Sequence, residues 1–260
     1  MNGLVVSNIR LNNRYYIMGI KSEEFVSSAK VGQFTMLNPN IYSFIYDPLL
    51  RRPFSICDIE GDSFKILIQL VGKGTSLLKN IKADTRIEFS SPVGNGFSIV
   101  SNKSVAVIAG GVGIAPFLWL TKKLKENYNK IDLFYGGKTS KDIVLTDRLK
   151  EYVDSLYVST EDGSMGSKGL VTESFVTYCK TYDKIYSCGP KKMLRHVSEI
   201  GNIKRVKTEV SIDEKMACGI GACLGCMVYT NEKGSRKQVR CCHEGPIFDG
   251  NNIDWDKICN

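Results

Sequence analysis

Three cysteines lie close together in the last fifth of this 260-residue chain, in Cys218-Gly219-Ile220-Gly221-Ala222-Cys223-Leu224-Gly225-Cys226, and two more follow at Cys241-Cys242. Four residues separate the first two thiols, two separate the second from the third, and the last ligand is distant. This is the plant-type spacing of a [2Fe–2S] centre. Thiolates are soft ligands that suit iron–sulfur chemistry or zinc. Structural zinc normally takes its ligands as two short pairs, which is not the pattern here. Gly219, Gly221 and Gly225 let the backbone curl around a cluster and aim N–H groups at its sulfurs. A centre of this kind carries single electrons, so electron transfer is the expected chemistry. Adjacent side chains diverge in extended chain, so only one of Cys241 and Cys242 is expected to ligate. Fourteen residues separate Cys226 from Cys241 and fifteen separate it from Cys242, which leaves both open.

Two glycine-containing turns suit nucleotides. Gly110-Gly111-Val112-Gly113-Ile114-Ala115-Pro116 follows an apolar run and opens a helical pattern, so backbone N–H groups can meet a phosphate at a helix start. The third glycine of the usual dinucleotide fingerprint is replaced by Pro116, and no acidic residue ends the following strand. A tight turn without a ligand would look the same. Cys188-Gly189-Pro190 ends another strand, and loops at the carboxyl ends of parallel strands line one cleft. Earlier in the chain, Arg51-Arg52-Pro53-Phe54-Ser55-Ile56 offers arginine and serine for a diphosphate and an aromatic ring for a flat one. Gly72-Lys73-Gly74-Thr75 reads as a turn rich in N–H groups.

These residues must be positioned by three kinds of chain. Residues 1–102 read as short β-branched and aromatic strands (Arg14 to Ile20, Gly32 to Leu37, Phe64 to Val71, Arg86 to Ser90), the pattern of an antiparallel barrel or sandwich. Over 103–210 strands alternate with helical patterns. Strands are expected at Ser104 to Ala109, Ile131 to Tyr135, Leu156 to Ser159 and Lys184 to Ser187. Helices are expected at Phe117 to Tyr128, near Asp142 to Tyr152, at Leu170 to Cys179 and at Pro190 to Glu199. That alternation implies a doubly wound parallel sheet with helices on both faces. Residues 211–260 show little periodicity and read as a small lobe organised around its metal.

The hydrophobic fraction of 43% and charged fraction of 24% are those of a soluble globular protein. The net charge of +8 is scattered, with no basic stripe or reading motif, so no nucleic-acid partner is expected. No apolar run approaches the roughly 18 residues of a membrane span, and the first residues lack a signal-peptide pattern. A cytoplasmic protein is expected. Nine cysteines in that compartment point to metal or redox chemistry rather than disulfides.

Arg52-x-x-Ser55, Gly111-x-Gly113-x-x-Pro116 and Cys188-Gly189-Pro190 occur in the order of the hallmark motifs of the ferredoxin–NAD(P) reductase superfamily, which this chain resembles. Thr160-Glu161-Asp162-Gly163-Ser164, Lys168-Gly169, Met193-Leu194 and the cysteine-rich tail narrow the resemblance to the electron-transfer subunits of dihydroorotate dehydrogenase B, over essentially the whole chain. The resemblance implies an FAD-binding β-barrel, an NAD-binding α/β domain and a [2Fe–2S] lobe. It implies FAD binding by Arg52, Pro53, Phe54, Ser55, Gln69, Leu70, Val71, Gly74 and Thr75, and NAD binding around Gly111 and Gly113. Phe54 stands where many reductases carry Tyr. Glu161 and Asp162 would repel the extra phosphate of NADP. The family frame places the fourth cysteine before two residues and Gly-Pro-x-Phe. Cys242-His243-Glu244-Gly245-Pro246-Ile247-Phe248 fits that frame, so the implied ligands are Cys218, Cys223, Cys226 and Cys242. The implied partner is an FMN-containing catalytic subunit that oxidises dihydroorotate, assembled as a dimer of heterodimers, with electrons passing through [2Fe–2S] and FAD to NAD+. No substrate base is then expected in this chain. Relatives tied to sulfide or glutamate metabolism begin the triplet with Asp where this chain has Cys218. Two other readings are a different ferredoxin–NAD(P) oxidoreductase or flavin reductase subunit, and a zinc-stabilised nucleotide-binding protein without redox function. His196 and His243 read as ordinary surface residues, the latter close enough to the cysteines to contact their surroundings. Cys57, Cys179 and Cys259 carry no assigned chemistry.

Overall fold

The computed structural model describes residues 1–40, 47–178, 180–232 and 234–259; Cys179 lies outside them. The first six strands are β1 (Asn2–Arg10), β2 (Tyr15–Lys21), β3 (Phe34–Leu37), β4 (Arg52–Glu60), β5 (Ser63–Gln69) and β6 (Arg86–Glu88). They form one antiparallel sheet in the order β3-β4-β5-β2-β1-β6. Bridges from Phe34 to Val93 and from Leu37 to Phe89 bring its two ends together. The sheet thus curls into a nearly closed barrel, which removes free edges. Alternating inward residues fill it: Phe25, Phe64 and Phe89 meet in mutual ring contacts, and Ile20, Ile66 and Ile68 are fully buried. Two short helices, α1 (Glu23–Ser28) and α2 (Lys73–Leu78), cross between strands. The turn expected at 72–75 is therefore the start of α2. The Thr75 hydroxyl makes it so by accepting from Val71 N–H at 3.0 Å and Gly72 N–H at 3.2 Å.

The second sheet contains β7 (Ser104–Gly110), β8 (Lys130–Gly137), β9 (Ser155–Thr160), β10 (Ser167–Lys168), β11 (Lys184–Cys188) and β12 (Lys207–Ser211). Its helices are α3 (Phe117–Glu126), α4 (Thr146–Lys150), α5 (Val171–Thr177) and α6 (Lys191–Ile203). Strand order is β10-β9-β8-β7-β11-β12, so winding reverses at β7 and all carboxyl ends lie on one edge. Period-two alternation sorts the faces. Val105, Val107 and Ala109 pack with α3, α4 and the barrel, whereas Ala106 and Ile108 pack with α5 and α6. The helix expected near 142–152 contracts to α4, because Leu145 takes φ +64° and the α-helical ladder cannot run through it.

The last 50 residues carry more regular structure than their periodicity suggests. β13 (Met227–Glu232) and β14 (Ser235–Arg240) form a hairpin, and α7 (Trp255–Ile258) packs near it. β15 (Ile247–Asp249) pairs antiparallel with β12 and extends the second sheet by one strand. A shared core joins Cys226, Val228, Cys241 and Cys242 of this lobe to Phe34 and Met36 of the barrel and Leu194 and Val210 of the α/β unit. No helix among the described residues is long and apolar enough to cross a membrane.

Polar joints fix how these parts meet. Asn95, in the linker, donates from its backbone to Gly245 O at 2.7 Å and from its side chain to Glu244 O and Ile247 O at 2.9 and 3.0 Å. Its Oδ1 accepts from Ile247 N at 3.0 Å. Lys184 and Glu209 pair at 2.8 Å, both nearly buried, and also hold Ser98 of the linker. Lys122 of α3 reaches the fully buried Asp58 carboxylate of β4 at 2.7 Å. Burial alone would keep the Asp58 carboxyl protonated to higher pH, and the Lys122 ammonium opposes that. Lys122→Met leaves the Asp58 charge buried without its partner. The expected outcome is a loss of about 3 kcal/mol in chemical unfolding, largely recovered in Asp58→Asn/Lys122→Met.

Candidate metal centre and nucleotide cleft

The cysteine loop is built by left-handed backbone. Gly219 (φ +70°), Gly221 (φ +81°) and Leu224 (φ +56°) fold residues 218–226 into a ring of inward N–H groups. Ile220 N–H and Cys223 N–H point at Cys218 Sγ at 3.5 and 3.4 Å. Gly221 N–H points at Cys242 Sγ at 3.1 Å, and Cys242 N–H at Cys226 Sγ at 3.4 Å. The four side chains therefore fall as two neighbouring pairs, Cys218 with Cys223 and Cys226 with Cys242. The N–H groups of Ile220 and Cys223 hold the Cys218 thiol at about 6, which favours thiolate. Among the described residues no three His, Cys, Asp or Glu side chains are arranged to hold a single metal ion. Four thiols in one loop and turn, with backbone N–H groups aimed at three of their sulfurs, are the chemistry that would suit a [2Fe–2S] centre.

The two adjacent cysteines face opposite ways. Cys242 looks into the loop. Cys241 is fully buried and its thiol donates to Ile212 O at 3.1 Å, with burial raising its pKa so that it stays neutral. His243 is exposed and lies against Gly221; His196 is exposed on α6 beside Glu199, away from the cysteines. Cys57 is buried in the barrel core, and Cys259 is half-buried near α7.

Arg52, Pro53, Phe54 and Ser55 run along β4, paired in register with Leu37, Met36, Thr35 and Phe34 of β3. The Arg52 guanidinium donates to Leu50 O at 2.8 Å. It lies over Gly74, where an added Cβ would come within 3.3 Å of Arg52 Nε. Gly74 thus lets the arginine and the first turn of α2 share one surface, which fits a diphosphate. Phe54 is half-buried against the barrel core, where a flat ring could pack on it. Gln69 ends β5, Leu70 packs on the barrel, and Val71 is exposed at the approach to α2.

At the switch point of the second sheet, the loop after β7 lies against the end of β11. A Cβ on Gly113 would strike the Cys188 carbonyl oxygen, so only glycine permits this approach. Gly111 takes φ +55° with open space above it, room that a phosphate could occupy at the start of the turn leading into α3. Glu161 and Asp162 are exposed past the end of β9, two strands away along the same edge. Ser164 donates to Asp162 from its hydroxyl and its N–H, at 2.6 and 2.9 Å, and holds that carboxyl below the usual range.

The cysteine loop and the Arg52–Ser55 segment meet through Met36. A Cβ on Gly219 would strike the side chain of Met36, and Met36 pairs with Pro53. Met36 carries no signal in sequence, because its role arises from a contact more than 180 residues away. Arg240 and Glu244, which brace the loop, were equally silent. Asn95 sits in a Gly94-Asn95-Gly96 stretch that reads only as a turn.

Two family models match parts of the chain. The model for the iron–sulfur cluster binding domain of dihydroorotate dehydrogenase B matches residues 213–254, and the oxidoreductase NAD-binding domain matches residues 107–199. The chain is 38% identical over 248 residues to the dihydroorotate dehydrogenase B (NAD(+)) electron transfer subunit of Caldanaerobacter subterraneus subsp. tengcongensis, covering 95% of this chain and 96% of that one. The structure of an NADH-dependent reduced ferredoxin–NADP oxidoreductase superposes with a TM-score of 0.85 at 28% identity, covering 99% of this chain and 91% of that one. A ferredoxin NADP+ reductase from Neisseria gonorrhoeae with bound FAD and NADP shares the fold, at a TM-score of 0.62 and 16% identity over 76% of this chain and 89% of that one. The counterpart from Clostridium acetobutylicum is 40% identical over 251 residues, 96% of this chain and 95% of that one, and on this evidence the chain belongs to the family of dihydroorotate dehydrogenase B electron transfer subunits.

Proposed function

We propose that this chain is the electron-transfer subunit of an NAD-dependent dihydroorotate dehydrogenase in pyrimidine biosynthesis, working in the cytoplasm with an FMN-containing catalytic subunit as a dimer of heterodimers. The observation that carries the reading is the seating of the cysteine loop on Met36, the strand partner of the flavin segment. The chain divides into an FAD barrel (1–102), an NAD unit (103–210) and a cluster lobe (211–260), with β15 of the lobe completing the sheet of the second unit. When bound, FAD exchanges hydride with nicotinamide and single electrons with the [2Fe–2S] centre, which converts two-electron into one-electron traffic.

The residues divide this work. Cys218, Cys223, Cys226 and Cys242 hold the cluster, and Cys241 serves the lobe's core. Arg52, Ser55, Gly74 and Thr75 hold the flavin diphosphate, with Pro53, Phe54, Gln69, Leu70 and Val71 shaping the rest of the site. Gly111 and Gly113 open the cleft to the NAD diphosphate, while the charges of Glu161 and Asp162 oppose a second phosphate on the ribose. Ile220 and Leu224 are 66% and 60% exposed on the outer side of the cysteine loop, an apolar face through which the catalytic subunit would dock. Substrate acid–base chemistry resides in that partner.

Purified anaerobically, the protein is expected to be red-brown, with two irons and one releasable FAD per chain. A colourless preparation holding zinc and no flavin would sink the electron-transfer reading. Cys242→Ser is expected to lose most of the iron and Cys241→Ser to keep it; the reverse pattern would move the ligand. Dihydroorotate-dependent NAD+ reduction should require both subunits, and Ile220→Glu should weaken their association at least tenfold while leaving iron and flavin contents unchanged.

A further inference from the structure

One arginine reaches both halves of the cysteine site without contributing a ligand. Arg240 ends β14, opposite Met227, two residues before Cys242. Its Nη1 donates to Gly221 O at 3.1 Å. Its other guanidinium nitrogens are held by Glu244: Nε donates to Oε2 at 3.1 Å, and Nη2 makes a short contact with Oε1. Glu244 Oε2 also accepts from the Arg240 backbone N–H at 2.6 Å. The carboxylate therefore fixes the fork, and the fork fixes Gly221.

Gly221 needs such a hold. At φ +81° and without a side chain, it has nothing of its own to set its orientation. Its N–H nevertheless makes the shortest N–H···S approach of the site, 3.1 Å to Cys242 Sγ, against 3.4 to 3.5 Å for the other three. The residue thus donates to the fourth cysteine on one side and is gripped by Arg240 on the other. Hydrogen bonds to cluster sulfurs stabilise the more negative reduced state and raise its reduction potential.

We propose that Arg240 is a positioning residue: by bridging Gly221 and Glu244, it aims the Gly221 N–H at Cys242 Sγ and so raises the reduction potential of the centre. This inference rests on the cluster reading given under the proposed function. A guanidinium can span both partners with its planar fork. A lysine in its place can reach one or the other but cannot bridge them.

The test compares wild type, Arg240→Gln, Arg240→Lys and Arg236→Gln in the full chain. Arg236 lies on the same strand but is 72% exposed and pairs with Asp254, so its removal controls for loss of one surface charge. Iron content, midpoint potential by EPR-monitored titration, and the deuterium shift of the Fe–S stretching bands in resonance Raman are measured on each. Arg240→Gln is expected to keep its iron and to lower the reduction equilibrium tenfold or more, about 59 mV for one electron, with a diminished deuterium shift. Arg240→Lys should recover less than half of that change, and Arg236→Gln should match wild type. An unchanged potential and deuterium shift in Arg240→Gln would overturn the proposal, as would full recovery in Arg240→Lys, which would assign the effect to charge alone. If Arg240→Gln emerges without iron, Arg240→Lys decides: a lowered potential supports the bridge and a wild-type potential overturns it. Absence of a cluster from the wild type would overturn both readings, and it is read before any variant.

Discussion

The side chain of Asn95 ties together the parts of the molecule that chemistry requires to be neighbours. Its amide and the adjoining backbone make four hydrogen bonds to residues 244–247, immediately after the cysteine pair. The linker leaving the barrel and the turn that carries Cys242 therefore move as one. From that turn, β15 runs on to pair with β12, so the same segment is anchored to the second sheet. Electron transfer between bound groups depends steeply on separation, and a lobe hinged freely on the barrel could not hold such a separation. The tie removes that freedom before any cofactor contact is counted.

Buried ion pairs add direction to the apolar core that the barrel and the second sheet share. Asp58 with Lys122 and Lys184 with Glu209 each place a charge where water is scarce, and the desolvation of such pairs cancels much of their attraction. Their value lies in direction. An apolar seam tolerates sliding, whereas a buried carboxylate must meet its ammonium or lose several kcal/mol. Asp58 with Lys122 crosses from the barrel to the second unit, whereas Lys184 and Glu209 lie on neighbouring strands of one sheet and hold the linker through Ser98. The apolar core shared by Phe34, Met36, Val210 and Cys242 packs the last lobe against both units.

Much of the site was legible because its chemistry is local. Four thiols at those spacings, with glycines between them, can be read without knowing the fold, since ligand reach is set by a few bonds. The doubly wound sheet was also legible: fully apolar strands such as Val105–Ala109 alternate with helices whose charges lie on one face. Other features had no local sign. Leu145 is a strong helix former by type, yet its left-handed backbone delays the start of a helix that its neighbours would support. Thr75 turns an apparent loop into α2 by a hydrogen bond that composition does not announce. The last lobe looked irregular because its strands are short and one of them, β15, takes its partner from the second sheet.

By itself, the sequence determined which side chains can bind soft metal and phosphate, and the order in which the three units follow one another. Those are properties of residue type and of spacing along the chain. Spacing left the two adjacent cysteines open and the family frame favoured Cys242, but only tertiary structure decided how each of them faces. Both lie in the turn that follows β14, where the direction of each side chain depends on what the turn packs against. Here Cys241 fills the core and donates to Ile212, and this turns Cys242 toward Gly221 and Cys226. It also decided that the loop rests on Met36 beside the flavin strand, a contact between residues far apart in the chain that packing alone brings together.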